Sequence, residues 1–126
     1  MVDQGPRSQA IRRRVISAAR DVYGELGWGW REDVYREALA RELHPMKCSC
    51  EVAMPVVYKG SVLSHVSVRW DMVVEDVVLV ELKAVKSPLP PAASRQCERY
   101  ANGHLWVAIN FPFRPNADDI EYNTGM

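Results

Sequence analysis

The apolar positions of this chain change period along its length. Ile11, Val15, Ala19, Val22, Tyr23 and Leu26 recur at helical spacing, with Ser8 placed to cap a helix and Gly27 to stop it near Leu26. Val34, Tyr35, Ala38, Leu39 and Leu43 form the stripe of a second helix, from about Glu32 to Leu43, closed by Pro45. The period then falls to two. Cys50 to Tyr58 reads as a strand in which Pro55 marks an edge or a bulge. Lys59-Gly60 is a hairpin turn. Ser61 to Val74 is a long strand alternating at Val62, Ser64, Val66, Val68 and Trp70. Val77 to Val85 is almost continuously apolar, as a strand covered on both faces would be. A proline-stiffened loop from Ser87 to Pro91 leads to a third helix, Ala92 to about Ala101, which Asn102-Gly103 ends. Leu105 to Phe111 is a last strand, parallel to a neighbour because a helix precedes it. Residues 1–7 read as a flexible N-terminus and residues 113–126 as a loose C-terminal tail. The order ααβββαβ over 8–112 predicts a single α/β (α+β) domain, a mixed sheet flanked by helices.

Composition narrows the function classes. The 126 residues are 48% hydrophobic and 25% charged, an ordinary balance for one compact domain. Formal net charge is zero, so no global basic field draws in nucleic acid, and any such binding must use a local patch. No apolar run approaches the roughly 20 residues of a membrane span, and the N-terminus has no signal-peptide core. Cys48, Cys50 and Cys97 are too few and too oddly spaced for a disulfide framework or a zinc site. Reduced thiols and a cytoplasmic location are expected. His44, His65 and His104 show no ligand spacing, and no glycine-rich phosphate loop is present. Arg12, Arg13 and Arg14 fan around the first helix as a solvated face or as phosphate contacts. In Gly27-Trp28-Gly29-Trp30, at least one tryptophan is expected in the core.

The candidate chemistry lies in the central hairpin, Arg69 to Val85. Asp71 stands near the start of its first strand; Glu81 and Lys83, two apart, share a face near the end of the second. Charged groups on a buried strand call for partners or a metal. The loop decides whether they meet. With only Glu75 and Asp76 in the turn, Asp71 faces Val80 and lies on the face opposite Glu81. With three residues, Glu75 to Val77, or with a one-residue bulge, Asp71 faces Glu81 directly. Two carboxylates side by side repel unless a cation sits between them. Glu32 lies along the apolar stripe at the start of the second helix, where it can serve the helix dipole or act as a third acidic group.

An Asp followed, after a turn, by an apolar strand ending Glu-x-Lys resembles the core of the PD-(D/E)XK nuclease superfamily. Gly29-Trp30-Arg31-Glu32-Asp33-Val34-Tyr35 fits the signature of its GxxExxY branch. Tyr58-Lys59-Gly60, Val74-Glu75-Asp76, Val80-Glu81-Leu82-Lys83-Ala84-Val85, Gln96 with Tyr100, and Ile109-Asn110-Phe111 follow in that family's order. The similarity spans roughly residues 10 to 112. It implies a restriction-endonuclease-like fold and Mg²⁺- or Mn²⁺-dependent hydrolysis of DNA or RNA phosphodiester bonds. Asp71, Glu81, the Leu82 carbonyl and Glu32 would hold the metal. Lys83 would orient the attacking water and offset developing charge, and Gln96, from a Gln-x-x-x-Tyr element, would position water or phosphate. The rival expectation is a catalytically silent binding or scaffold module of the same fold. A third is a homo-oligomer that brings two sites to two strands. A basic groove leading to Asp71 and Glu81 would favour the enzyme, and an apolar patch elsewhere an interaction protein.

Overall fold

The structure, a computed structural model, describes residues 5–126. Its elements are α1 (Pro6–Leu26), α2 (Glu32–Leu43), β1 (Cys48–Tyr58), β2 (Ser61–Val74), β3 (Val78–Lys83), α3 (Pro91–Tyr100), β4 (Leu105–Asn110) and β5 (Glu121–Gly125). The five strands lie side by side in sequence order. β4 runs parallel to β3, as a crossover through α3 requires, and the other neighbours are antiparallel.

Helices cover both faces of the sheet. Ile11, Val15, Val22, Tyr35, Leu39 and Leu43 of α1 and α2 pack on Met72, Val74, Val78, Val80, Leu82, Val107 and Ile109. On the other face Ala93, Cys97 and Leu89 close over Val73, Leu79, Trp106 and Ala108. A strand between two helical layers has no solvent side, which is why all six residues of β4 are buried and its sequence does not alternate.

Both ends of the domain differ from the sequence expectation. Residues 1–4 of the predicted flexible N-terminus lie outside the described residues, and α1 begins at Pro6, with Gly5 as its N-cap. Ser8 is therefore not the cap. It is buried inside the helix, where it packs rather than closes the first turn. The predicted loose tail 113–126 is instead tied to the domain. Residues 121–125 form β5 on the open edge of β4, giving the order ααβββαββ. Ile120 is buried, the Asn110 amide donates to Glu121 at 2.9 Å, and Arg12 donates to the Gly125 carbonyl at 2.9 Å. Polar composition hid this strand, because an edge strand is held by its ladder and a few anchors rather than by an apolar stripe. The tryptophan expectation also fails. Trp28 and Trp30 are 44% and 47% exposed; Trp28 packs edge-on against Phe113, and the Trp30 indole caps the Leu26 carbonyl at 2.9 Å.

The β1–β2 hairpin outgrows the sheet. β3 pairs only with Met72 to Val74, so most of β2 has β1 as its one neighbour. The resulting arm reaches about 25 Å beyond the core at strand rise, and turns at Lys59-Gly60, both at positive φ. The register shift between Pro55 and Val57 sits where the proline marks the edge strand. Val57, Tyr58, Val62, Leu63 and Val66 are exposed along the arm.

Candidate active site

The β2–β3 turn settles whether the acidic residues meet. Val74 pairs with Val78, leaving Glu75, Asp76 and Val77 in the loop, and the register runs on through Val73↔Leu79 and Met72↔Val80. One step further sets Asp71 beside Glu81. Glu75 and Asp76 hold positive φ, a conformation that side chains resist. Their contacts keep it. The Glu75 amide donates to the Lys47 carbonyl at 2.8 Å, its carboxylate takes the Lys47 amide at 2.7 Å and Arg7 at 3.0 Å, and Asp76 pairs with the Lys47 ammonium at 3.1 Å.

Asp71 Oδ2 accepts the Leu82 backbone amide at 2.6 Å, and the Asp71 and Glu81 carboxyl groups are in hydrogen-bond contact. Burial first, then that hydrogen bond and the charge of Asp71, push the Glu81 carboxyl up from 4.5 to about 8, with Lys83 opposing. The Lys83 ammonium is 3.9 Å from Glu81 Oε2, near enough to offset the charge without forming a tight pair. The site therefore holds one more proton at neutral pH than two free carboxyls would.

Above Glu81 a cavity of about 170 Å³ is lined by Val68, Arg69, Trp70, Glu81, Gln96, Cys97 and Tyr100. Gln96 and Tyr100 come from adjacent turns of α3. Burial, with Glu81 close by, pushes the Cys97 thiol up to about 12, so it stays protonated and serves as wall rather than nucleophile.

The wall also shows what strand alternation hides. Trp70 and Met72 are two apart, yet Met72 packs towards α1 and α2 while Trp70 packs towards α3. The same reversal separates Cys48 from Val52 on β1. Between them stand Glu51, at positive φ, and Asp71, neither of them joined in the ladder. The pleat breaks at this pair, and the break brings Trp70 to the site. Periodicity does not expect Trp70 there, whereas Arg69, two residues before Asp71, shares its face by alternation. The signal that could have found Trp70 is adjacency to Asp71 at the start of a buried segment.

Of the sequence-derived set, Asp71, Glu81, Leu82 and Lys83 lie together, and Gln96 shares the cavity with Glu81. Glu32 is not gathered with them. It is exposed at the first turn of α2, in the helical layer opposite α3, and no group of three His, Cys, Asp or Glu side chains able to hold a metal forms among the described residues. The rest of its motif builds the α1–α2 corner. Gly29 takes φ +101°, and Tyr35 is fully buried, stacks on Phe111 at 4.2 Å and donates its hydroxyl to the Gly27 carbonyl at 2.6 Å. Arg12 and Arg14 are likewise structural, donating to backbone carbonyls of Trp106, Gly125 and Glu42. All three cysteines are unpaired, and no helix among the described residues is long and apolar enough to cross a membrane.

A mixed sheet between helices, with Asp on one strand and Glu-x-Lys on the next, defines a nuclease-like class of domain. The chain belongs to the PD-(D/E)XK nuclease superfamily, whose family model matches residues 9–120. No curated protein and no solved structure matches it.

Proposed function

We propose that this domain is a Mg²⁺- or Mn²⁺-dependent nuclease of the GxxExxY branch, hydrolysing phosphodiester bonds of DNA or RNA. The observation that carries the proposal is the contact between the Asp71 and Glu81 carboxyls, which, together with the larger effect of burial, pushes the Glu81 carboxyl up to about 8. Such a pair suits a divalent cation, which would displace the proton and relieve the repulsion. The donors fit the metal: hard carboxylate oxygens on Asp71 and Glu81, with the Leu82 backbone bound to Asp71, at a site where Mg²⁺ keeps several waters and needs few protein ligands. When bound, the cation would supply Lewis acidity at the phosphoryl oxygens.

The chain's own groups then have separate tasks. The Leu82 amide fixes the orientation of Asp71. Lys83 places a positive charge 3.9 Å from Glu81, where it would orient water and offset charge developing on the phosphoryl group. Gln96, on the cavity wall, would position water or phosphate, and Tyr100 supports it one turn along α3. Glu32 enters this scheme only through water or a bound substrate, because its side chain starts from the other helical layer. The unpaired thiols support a cytoplasmic location.

Calorimetry with Mn²⁺ and Mg²⁺ on the wild type and on Asp71→Ala/Glu81→Ala tests the site. Binding in the micromolar-to-millimolar range that the double substitution abolishes, followed by nucleic-acid cleavage that Lys83→Ala suppresses, is the expected result. A folded wild type that binds no divalent cation, or binds it as well as the double variant does, overturns the proposal.

The alternative is a catalytically silent binding or scaffold module, and one observation favours it: the apolar side chains along the projecting arm. The same arm is the surface through which a homo-oligomer would form.

A further inference from the structure

The arginines of this chain fall into two sets. Arg7, Arg20, Arg31, Arg36 and Arg41 are each paired with a carboxylate, and Arg12, Arg14 and Arg114 donate to backbone or hydroxyl oxygens. Among the described residues no carboxylate lies within ion-pair reach of Arg13, Arg69, Arg95 or Arg99. Three of these four converge on one place. Arg69 lines the cavity above Glu81. Arg95 and Arg99 line a second hollow of about 170 Å³ with Ala92, Gln96 and Tyr100. Gln96 and Tyr100 border both, so the two hollows adjoin.

The chemistry of this strip is that of an anion track. Arg95 and Arg99 stand one turn apart on the exposed face of α3, about 6 Å along its axis, comparable with the spacing of successive phosphates on a strand. The single acidic residue of α3, Glu98, is turned away and accepts the Trp106 indole at 3.0 Å. Trp70 forms part of the cavity wall and is 3% exposed, and its buried indole N–H has no hydrogen-bond partner among the described residues, an unfavourable arrangement beside the cavity. Tyr100, half-buried between the hollows, sets an aromatic ring beside the cations, the pairing that single-strand binding surfaces use. With zero net charge overall, a local cluster of uncompensated guanidinium groups is what could hold a polyanion.

We propose that Arg69, Arg95 and Arg99 form a phosphate-binding ledge that lays the backbone of a single nucleic-acid strand along α3 and into the cavity at Glu81. The ledge names the substrate-positioning residues of the nuclease site and rests on that reading for its direction, though binding to it does not need the metal.

The test is fluorescence anisotropy with a labelled single-stranded oligonucleotide, in buffer without divalent cations, over a range of salt. Three proteins are compared: wild type, Arg69→Gln/Arg95→Gln/Arg99→Gln, and Arg13→Gln, which removes a guanidinium away from the ledge that has no carboxylate partner among the described residues. Each phosphate contact with a single strand contributes about 0.7 to the slope of log K against log salt. The triple variant should therefore lose about 2 from that slope and bind at least about tenfold more weakly at 0.1 M salt. Arg13→Gln should match the wild type. The three side chains make no ion pairs among the described residues, so thermal unfolding of the triple variant should coincide with that of the wild type. Wild type that does not bind, a triple variant with an unchanged slope, or an equal loss in Arg13→Gln overturns the ledge. Tighter binding of a duplex than of the single strand overturns the single-strand assignment. Calorimetry with Mn²⁺ on the triple variant separates the two proposals: retained metal binding with an unchanged salt slope removes the ledge alone, and ledge binding in a chain that takes no metal removes the nuclease reading alone.

Discussion

Glu81 and Asp71 meet carboxyl to carboxyl across β2 and β3, while Asp71 also takes the Leu82 amide proton at 2.6 Å. Burial and that contact together make the pair a liability to the fold, and the liability has a pH signature. A carboxyl raised from 4.5 to about 8 keeps its proton in the folded chain after the unfolded chain has lost it. Folding therefore weakens as pH rises through that window and levels off above it. Glu81→Gln, which keeps the shape and carries no charge, should remove this slope and be the more stable protein near pH 8, by on the order of 2 kcal/mol after allowance for solvent screening. Urea unfolding of both proteins at several pH values measures it. Parallel curves would show that Glu81 titrates normally.

Tyr35 is expected to act through the fold and not through the chemistry. It stacks on Phe111 with the rings 2° from parallel and anchors the Gly27 carbonyl. Tyr35→Phe should lose about 1 kcal/mol with the hydrogen bond, and Tyr35→Ala about 4 kcal/mol with the cavity. Mn²⁺ affinity of the folded Tyr35→Phe protein should equal that of the wild type. A tenfold fall in affinity would move Tyr35 into the site.

Gly125 lies against the face of Trp106, where an added Cβ would come within 2.6 Å of the indole. Gly125→Ala should cost about 1–2 kcal/mol, limited by the ease with which a terminal edge strand peels away. Amide exchange should quicken along β5 while β3 keeps its protection. An unchanged melting temperature together with unchanged exchange would mean that β5 adds nothing to the domain.

Val57, Val62 and Val66 are 60%, 59% and 55% exposed on the arm. Replacing all three by Thr should change the unfolding free energy of the isolated domain by no more than about 0.5 kcal/mol per site, since little burial is lost. Sedimentation velocity of the wild type should show a species larger than the monomer that the triple substitution dissociates. A monomeric wild type would remove the arm as a self-association surface.

Residue pattern alone determined much of this protein. Helical spacing from Ile11 to Leu26 and from Val34 to Leu43 marked two helices because each buries one stripe. The unbroken apolar runs Val78–Val80 and Leu105–Ile109 marked strands covered on both sides. Glu81 and Lys83 were legible as a pair on one face, and Asp71 as their partner under a stated condition on the turn. Only the tertiary structure could decide that condition, because whether Val77 belongs to the loop depends on how Lys47, Arg7 and the Glu75–Asp76 backbone bind one another across distant parts of the chain. It alone reversed the faces of β1 and β2 at Glu51 and Asp71, bringing Trp70 to the cavity against the period of its own strand. It set Glu32 in the opposite layer, where helical spacing says nothing of which sheet face a helix covers. It drew Glu121–Gly125 into the sheet through ladder bonds that composition does not encode. And it left Arg69, Arg95 and Arg99 without carboxylate partners among the described residues, a matter of neighbours in space, which zero net charge conceals.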